Sequence, residues 1–258
     1  MKISKSLYNV LQYISTIDDI FVYAGNGYLI AKEKAGSGFV EVKAPDGFFT
    51  EAFVLRSLSK FLRLFTFDRK SKESDPTTIQ EWTFEPRYDP ATGVSISEIH
   101  ITSPGRSIKL TQATKEFLNK RAADLVSKVD GIVLDESIKF QIDSALYKQI
   151  MSDCSLLDLD RITIASENDE TIRILLSKTG KGSNYDTSSY KVECHHQHNT
   201  NKITFLLSAF SLIDATDHQL EYGIFTAKNG NKVNILKVKS FCDNNMVVNK
   251  VILSDKGE

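Results

Sequence analysis

Leu7, Val10, Leu11 and Ile14 recur at i, i+3, i+4 and i+7, which gathers four apolar side chains on one stripe of a helix. Lys5, Asn9 and Gln12 take another face without a carboxylate among them, and Ser4 stands where an N-cap is needed. The pattern then changes to short strand-like runs, "IFVYAG", "GYLIAKE", "GFVEVKA" and "FFTEAFV". Gly25-Asn26-Gly27, Gly36-Ser37-Gly38 and Pro45-Asp46-Gly47 supply the turns between them. A second stripe, Leu55, Leu58 and Leu62 with Phe61 and Phe65 beside it, predicts a helix over 55–65. Arg56, Lys60 and Arg63 keep helical spacing on that helix, again uninterrupted by acid. After the polar stretch 68–78, "IQEWTFE", "SISEIHI" and "RSIKLTQ" read as a meander with turns at Pro90–Gly93 and Ser103–Gly105.

The second half repeats this order. "TKEFLNKRAADLVSKVD", 114–130, has helical periodicity through Leu118, Ala122, Leu125 and Val129 and predicts a helical or partly ordered connector before the strand entry "GIVLDESIKFQI". Asp143 then caps a helix, "SALYKQIMSD", that turns Leu146 and Ile150 inward. Strands follow at "DRITIASE", "ETIRILLSK" and "SSYKVEC". "KITFLLSAFSLIDA", a strand running into a helix, matches "AFVLRSLSKFLRLF" in position. "LEYGIFTAK", "KVNILKVKS" and "MVVNKVILS" close the chain. Each half is helix, strands, helix, strands. This predicts an α+β internal duplication: two domains, 1–113 and 135–258, each with antiparallel sheets and two helices, joined by a connector at 114–134.

Composition narrows the function classes. A chain of 258 residues has room for two domains that each hold a core. The net charge of -1 argues against a generally cationic nucleic-acid binder and leaves a local basic surface open. Three widely spaced cysteines, Cys154, Cys194 and Cys242, form no CxxC pair and predict reduced thiols. No signal-like or membrane-spanning apolar run occurs, so a soluble, intracellular chain without a membrane partner is expected. "CHHQH" at 194–198 offers metal-ligand types, but adjacent histidines on a strand point to opposite faces and no second cluster stands out. "GKGS" at 180–183 lacks the upstream glycine spacing of a phosphate loop. Asp158 and Asp160 have no partner base, and no Ser/His/Asp or Cys/His set can be assembled. No enzyme, metal or cofactor is expected.

"MKISK", the helix to "YISTID" and the hairpin "FVYAGNGYLIAKE" resemble the start of the sliding clamps of T-even-type bacteriophages, which are DNA polymerase processivity factors. The similarity is close over 1–34, weaker but collinear over 138–176 and 203–253, and thin over 68–93 and 113–134. It implies a DNA clamp (processivity fold): a homotrimeric ring of two-domain subunits that encircles double-stranded DNA without regard to sequence. It implies tethering of a DNA polymerase, opening by an ATP-driven clamp loader, late-transcription factors as further partners, and a place in the cytoplasm of an infected bacterial cell.

Such a ring needs helices lining a hole with a positive inner surface. The helices and their starts supply Lys2, Lys5, Arg56, Lys60, Arg63 and Lys148 as DNA-facing candidates, with Asp143 opposing them at a cap. The last helix has Ser208 and Ser211 where a basic residue would sit, so the positive surface is expected to be patchy. The resemblance places the subunit interface at 106–112 and 187–194, with Ile108, Leu110, Tyr190 and Val192 as its residues. It places a pocket for partner peptides near the connector, with Ile132, Val133, Leu134, Val248 and Val251 as candidate walls.

Plainer readings stand beside these. Three cations on an amphipathic helix describe any solvated face. The edge-strand residues can point into their own sheet, and the pocket residues can be ordinary core. The rival function is a non-ring protein–protein interaction module built on the duplicated sheets; an enzyme is the third class.

Overall fold

The computed structural model describes residues 5–18, 21–23, 28–32, 38–43, 53–55, 57–63, 83–87, 98–103, 106–111, 129, 131–179, 186–194, 202–242 and 246–254. The chain divides into two compact units, Met1–Lys34 with Val40–Lys128, and Ala35–Phe39 with Val129–Glu258.

The first unit runs α1 (Lys5–Ile17), β1 (Phe21–Tyr23), β2 (Tyr28–Lys32), β3 (Gly38–Lys43, whose first two residues group with the second unit), β4 (Phe53–Leu55), α2 (Leu58–Leu62), β5 (Thr83–Arg87), β6 (Glu98–Ser103) and β7 (Arg106–Thr111). The apolar stripe of α1 is the buried one: Val10, Leu11 and Ile14 are fully covered, and α1 packs on α2. Helix α2 begins later than its stripe suggested. Ser57 is its N-cap, with the side-chain oxygen accepting from the Lys60 N–H at 3.4 Å. Leu55 therefore ends β4 and is buried from a strand, while Leu58, Phe61 and Leu62 form the helix's inner face.

The second unit runs β8 (Asp135–Asp143), α3 (Ser144–Leu156), β9 (Arg161–Asn168), β10 (Thr171–Ser177), β11 (Ser188–Glu193), β12 (Lys202–Leu206), a 3-10 turn (Leu207–Phe210), β13 (Asp217–Thr226), β14 (Lys232–Phe241) and β15 (Val247–Leu253). Its four-stranded sheet has the order β11-β10-β9-β12, and its other sheet the order β8-β13-β14-β15. The duplication is visible in these orders. Strands β4-β1-β2-β3 of the first unit follow the same sequence of neighbours as β12-β9-β10-β11, and β5-β6-β7 corresponds to β13-β14-β15.

Period-two alternation builds the second unit's core. Ile138, Phe140 and Ile142 from β8 meet Ile172, Ile174 and Leu176 from β10, with Leu220, Leu236 and Ile252 from the other strands, in one buried cluster. Helix α3 closes over it with Ile150 and Cys154. Asp143 caps that helix as expected, its Oδ1 accepting from the Leu146 N–H at 2.7 Å. The expected second helix of this half is a single 3-10 turn. Leu206 at its cap has no side-chain acceptor. The Tyr147 hydroxyl accepts from the Leu212 N–H at 2.9 Å and donates to its carbonyl at 3.4 Å. Lys250 Nζ donates to the Ser211 carbonyl at 2.9 Å. Backbone groups that would extend a helix are taken by tertiary partners instead.

The periodic connector 114–128 lies outside the described residues, as do "GKGS" and His195, His196 and His198 of "CHHQH". The three cysteines are free thiols, and the described residues form no His/Cys/Asp/Glu group able to hold a metal. Asp158 pairs with Lys178, and Asp160 accepts from Thr179, so both carboxylates serve the turn that joins α3 to β9. No described helix is long and apolar enough to cross a membrane.

His218 is buried in this core. Its Nδ1 lies 2.8 Å from Ser240 Oγ, its ring is edge-on to Tyr147 at 5.2 Å, and Nε2 is without a hydrogen-bond partner. Burial holds its pKa below the ordinary histidine value, although Asp217 and Asp214 pull the other way. The unfolded chain therefore takes up this proton first as pH falls, and the fold loses stability below about pH 6.5. Wild-type melting temperature should fall between pH 7.5 and 5.5, and His218→Gln should flatten that fall, as read by circular dichroism; equal slopes would contradict the assignment.

Candidate nucleic-acid interface and partner edges

The outward faces of the helices carry few charges, and those are basic. No carboxylate occurs within α1 or α2, and α3 holds a single one, Asp153. On α2 the exposed side chains are Lys60 and, at the C-cap, Arg63, three residues apart and so on one face. On α3 the exposed set is Ala145, Lys148, Gln149, Ser152, Ser155 and Leu156. Lys5 lies in α1, but its side chain, like Lys2 and Arg56, is outside the described residues. The sequence reading missed a counter-charge: Lys148 Nζ lies 3.2 Å from Asp214 Oδ1, in the loop that follows the 3-10 turn. Both side chains are well exposed, so the pair is worth about 0–1 kcal/mol, yet it offsets the one cation of α3. Among the described residues, the unopposed basic patch is thus on α2.

Asp153 is engaged on the strand side of α3. Its Oδ2 accepts from Ser188 Oγ at 2.7 Å and from the Tyr190 hydroxyl at 2.5 Å, both on β11. Hydrogen bonds from Tyr190 and then Ser188 hold its carboxyl below the usual range.

β11 ends its sheet among the described strands, and so does β7. Each has six residues. On β7, half-buried Ile108 and Leu110 alternate with exposed Ser107 and Lys109. On β11 the expectation for the side chains needs correcting. Val192 is buried in the unit's own core and Tyr190 packs against that core, because even-numbered residues of β11 share a face directed at α3. Among the described strands, none pairs along the outer backbone edge of β11.

The proposed pocket residues divide between two faces. Leu134 and Val251 are buried together with Val129 and Ile235, with Ile132 and Phe39 partly buried against them. Val133 stands 75% exposed beside this cluster. Val248, three residues from Val251 on β15, points to the other face, where its cross-strand partner is Ser240, neighbour of His218. Val248 therefore belongs to the main core's side of the sheet and cannot share a wall with Val251. A polar clasp lies next to the small cluster. Lys237 Nζ donates to the Ile132 carbonyl at 3.1 Å and lies 3.3 Å from Glu221, which also accepts from Ser137 at 2.8 Å. Sequence pattern could not find this clasp, since its residues are 105 positions apart at the widest.

Solved structures match over nearly the whole chain. In the crystal structure of the PCNA2-PCNA3 complex from Sulfolobus tokodaii, the match has a TM-score of 0.59 at 10% identity and covers 98% of this chain and 97% of that one. In that of Proliferating Cellular Nuclear Antigen from Entamoeba histolytica, the TM-score is 0.56 at 13% identity, with 97% and 95% covered. This chain has the PCNA-like clamp fold. No protein-family model matches the sequence. No curated protein matches it either. The likeness therefore rests on backbone layout, with the duplicated strand orders as its content.

The clasp can be tested directly. Lys237→Met keeps length and apolar stem but removes the donor to Ile132. Hydrogen exchange at 132–134 should accelerate several-fold while the global melting point stays within a few degrees; unchanged exchange there would mean that the clasp does not hold this segment.

Proposed function

We propose that this chain is a sliding clamp of the T-even bacteriophage kind, a homotrimeric ring that encircles duplex DNA and tethers a replicative DNA polymerase after loading by an ATP-driven clamp loader. The observation that carries the reading is the repeated topology with two strands, β7 and β11, at sheet ends among the described strands. Gly38 and Phe39, which open β3 and group with the second unit, lie against β15: a Cβ on Gly38 would meet the Val251 carbonyl oxygen, and Phe39 packs beside Val251. By the duplication, β11 corresponds to β3 and β7 to β15. The counterparts β11 and β7 are both left at sheet ends among the described strands. A second copy supplies the missing neighbour, β7 of one subunit to β11 of the next, and head-to-tail pairing of this kind generates a ring when the rotation closes. The number three comes from the resemblance of the N-terminal segment.

In this reading the domains are 1–113 and 135–258, with 114–134 between them, and the lining side chains are Lys2, Lys5, Arg56, Lys60, Arg63 and Lys148. Contacts to phosphates carry no sequence information, which suits a device that must slide. Affinity can be weak because escape requires a subunit interface to open; retention follows interface lifetime, and mobility follows weak, salt-screened contacts. The role is topological rather than catalytic, and it calls for no cofactor. Ile132, Val133, Leu134 and Val251 remain the candidate seat for partner peptides, of polymerase first and of late-transcription factors second. The rival reading, a non-ring interaction module, draws on Val192 and Tyr190 facing their own core.

Sedimentation at micromolar concentration should give a trimer, and a monomer at every concentration would reject the ring. Once loaded, the wild type should stay on closed circular DNA and be lost on linearisation. Arg56, Lys60 and Arg63 changed together to Glu should reduce loading or retention at least about tenfold near physiological salt. Full polymerase processivity for that variant at all salt concentrations would remove α2 from the inner surface.

A further inference from the structure

An edge strand is hydrogen-bonded along one side and frays unless something else holds it. β11 pairs with β10 from Thr171↔Glu193 to Leu176↔Ser188. Its far end is tied down: the Cys194 N–H donates to the Glu170 carbonyl at 2.8 Å, and Cys194 bridges Phe140 of β8. At the Ser188 end the tie is a side chain on a helix. Ser188 and Tyr190, two apart on one strand face, both donate to the same oxygen of Asp153. The position of Asp153 is poor for a helix on its own account. It lies in the last turns of α3, where a negative charge opposes the helix dipole, and aspartate is a weak helix former. Two hydroxyl donors give that carboxylate its place.

We propose that Asp153 is the positioning residue of the ring-closing strand: by holding Ser188 and Tyr190 it fixes β11 to α3, so that the backbone edge offered to the next subunit and the helix offered to DNA move as one body. This rests on the ring reading above. The partner fitted by the edge is a second copy of this chain, and the latch keeps six backbone residues straight for it before it arrives. Preorganisation of this kind lowers the cost of ordering the strand on association.

The test uses the full chain with Asp153→Ala, Asp153→Asn, Tyr190→Phe and the Asp153→Ala/Tyr190→Phe pair, each measured by sedimentation equilibrium and by amide hydrogen exchange. Asp153→Ala should weaken subunit association about tenfold and speed exchange at 188–193, with the global melting point within a few degrees. Asp153→Asn keeps an acceptor oxygen and should fall between. Adding Tyr190→Phe to Asp153→Ala should change little, since the two act through one contact. If Asp153→Ala fails to fold, Ser188→Ala/Tyr190→Phe removes both donors and leaves α3 intact for the same comparison. An oligomeric wild type with an equally tight Asp153→Ala variant would overturn the latch alone. A monomeric wild type would overturn the ring reading, and unchanged exchange at 188–193 in that monomer would overturn the latch as well.

Discussion

A β-strand at the end of a sheet leaves half of its backbone donors and acceptors without a strand partner, and that constraint organises this chain. The duplicated units solve it unequally. Within the second unit Gly38 and Phe39 lie against β15, while β11 and β7, the counterparts of β3 and β15, stand at sheet ends among the described strands. The proposed assembly follows from this inequality: a further copy of the chain presents the strands that those edges lack. The side chains of β11 are mostly committed elsewhere, with Val192 in the core and Tyr190 and Ser188 on Asp153. A partner would therefore meet its backbone edge and the exposed side chains of Ser189, Lys191 and Glu193, which suits repeated head-to-tail pairing more than a bespoke apolar interface.

The electrostatics have the same economy. The chain is nearly neutral, and the helices achieve a basic bias by excluding carboxylates more than by collecting lysines. Where a carboxylate does enter a helix, at Asp153, two hydroxyls engage it and it serves the strand behind. Where a lysine stands on α3, at Lys148, Asp214 offsets it. A surface of this kind attracts phosphates weakly. Strong phosphate contacts would slow a protein that has to move along a duplex, so weakness is consistent with the proposed role.

The second unit departs from the first at the 3-10 turn. Both halves contain an apolar-periodic stretch at the matching position. In α2 the Ser57 side chain caps the helix, whereas Leu206 offers no acceptor. Tyr147 and Lys250 then take up the backbone of Ser211 and Leu212. A core of two packed sheets has drawn this segment into itself, and local helical preference yields to tertiary hydrogen bonding.

The sequence by itself determined most of the described element types, the duplication and the helix cap at Asp143, but not the 3-10 turn at Leu207–Phe210, because periods of two and about 3.6 residues and capping chemistry are local signals. It also placed the cations of α2 on a single helix face, since spacing fixes azimuth. Only the tertiary structure decided that Leu55 belongs to a strand, that Val248 and Val251 face opposite ways, that Asp214 offsets Lys148, and that Asp153 holds Tyr190. The physical reason is separation along the chain. Tyr190 is 37 residues from Asp153, and Lys237 is 105 from Ile132. Contacts between such residues exist once sheets have stacked, and no local pattern in the chain encodes them.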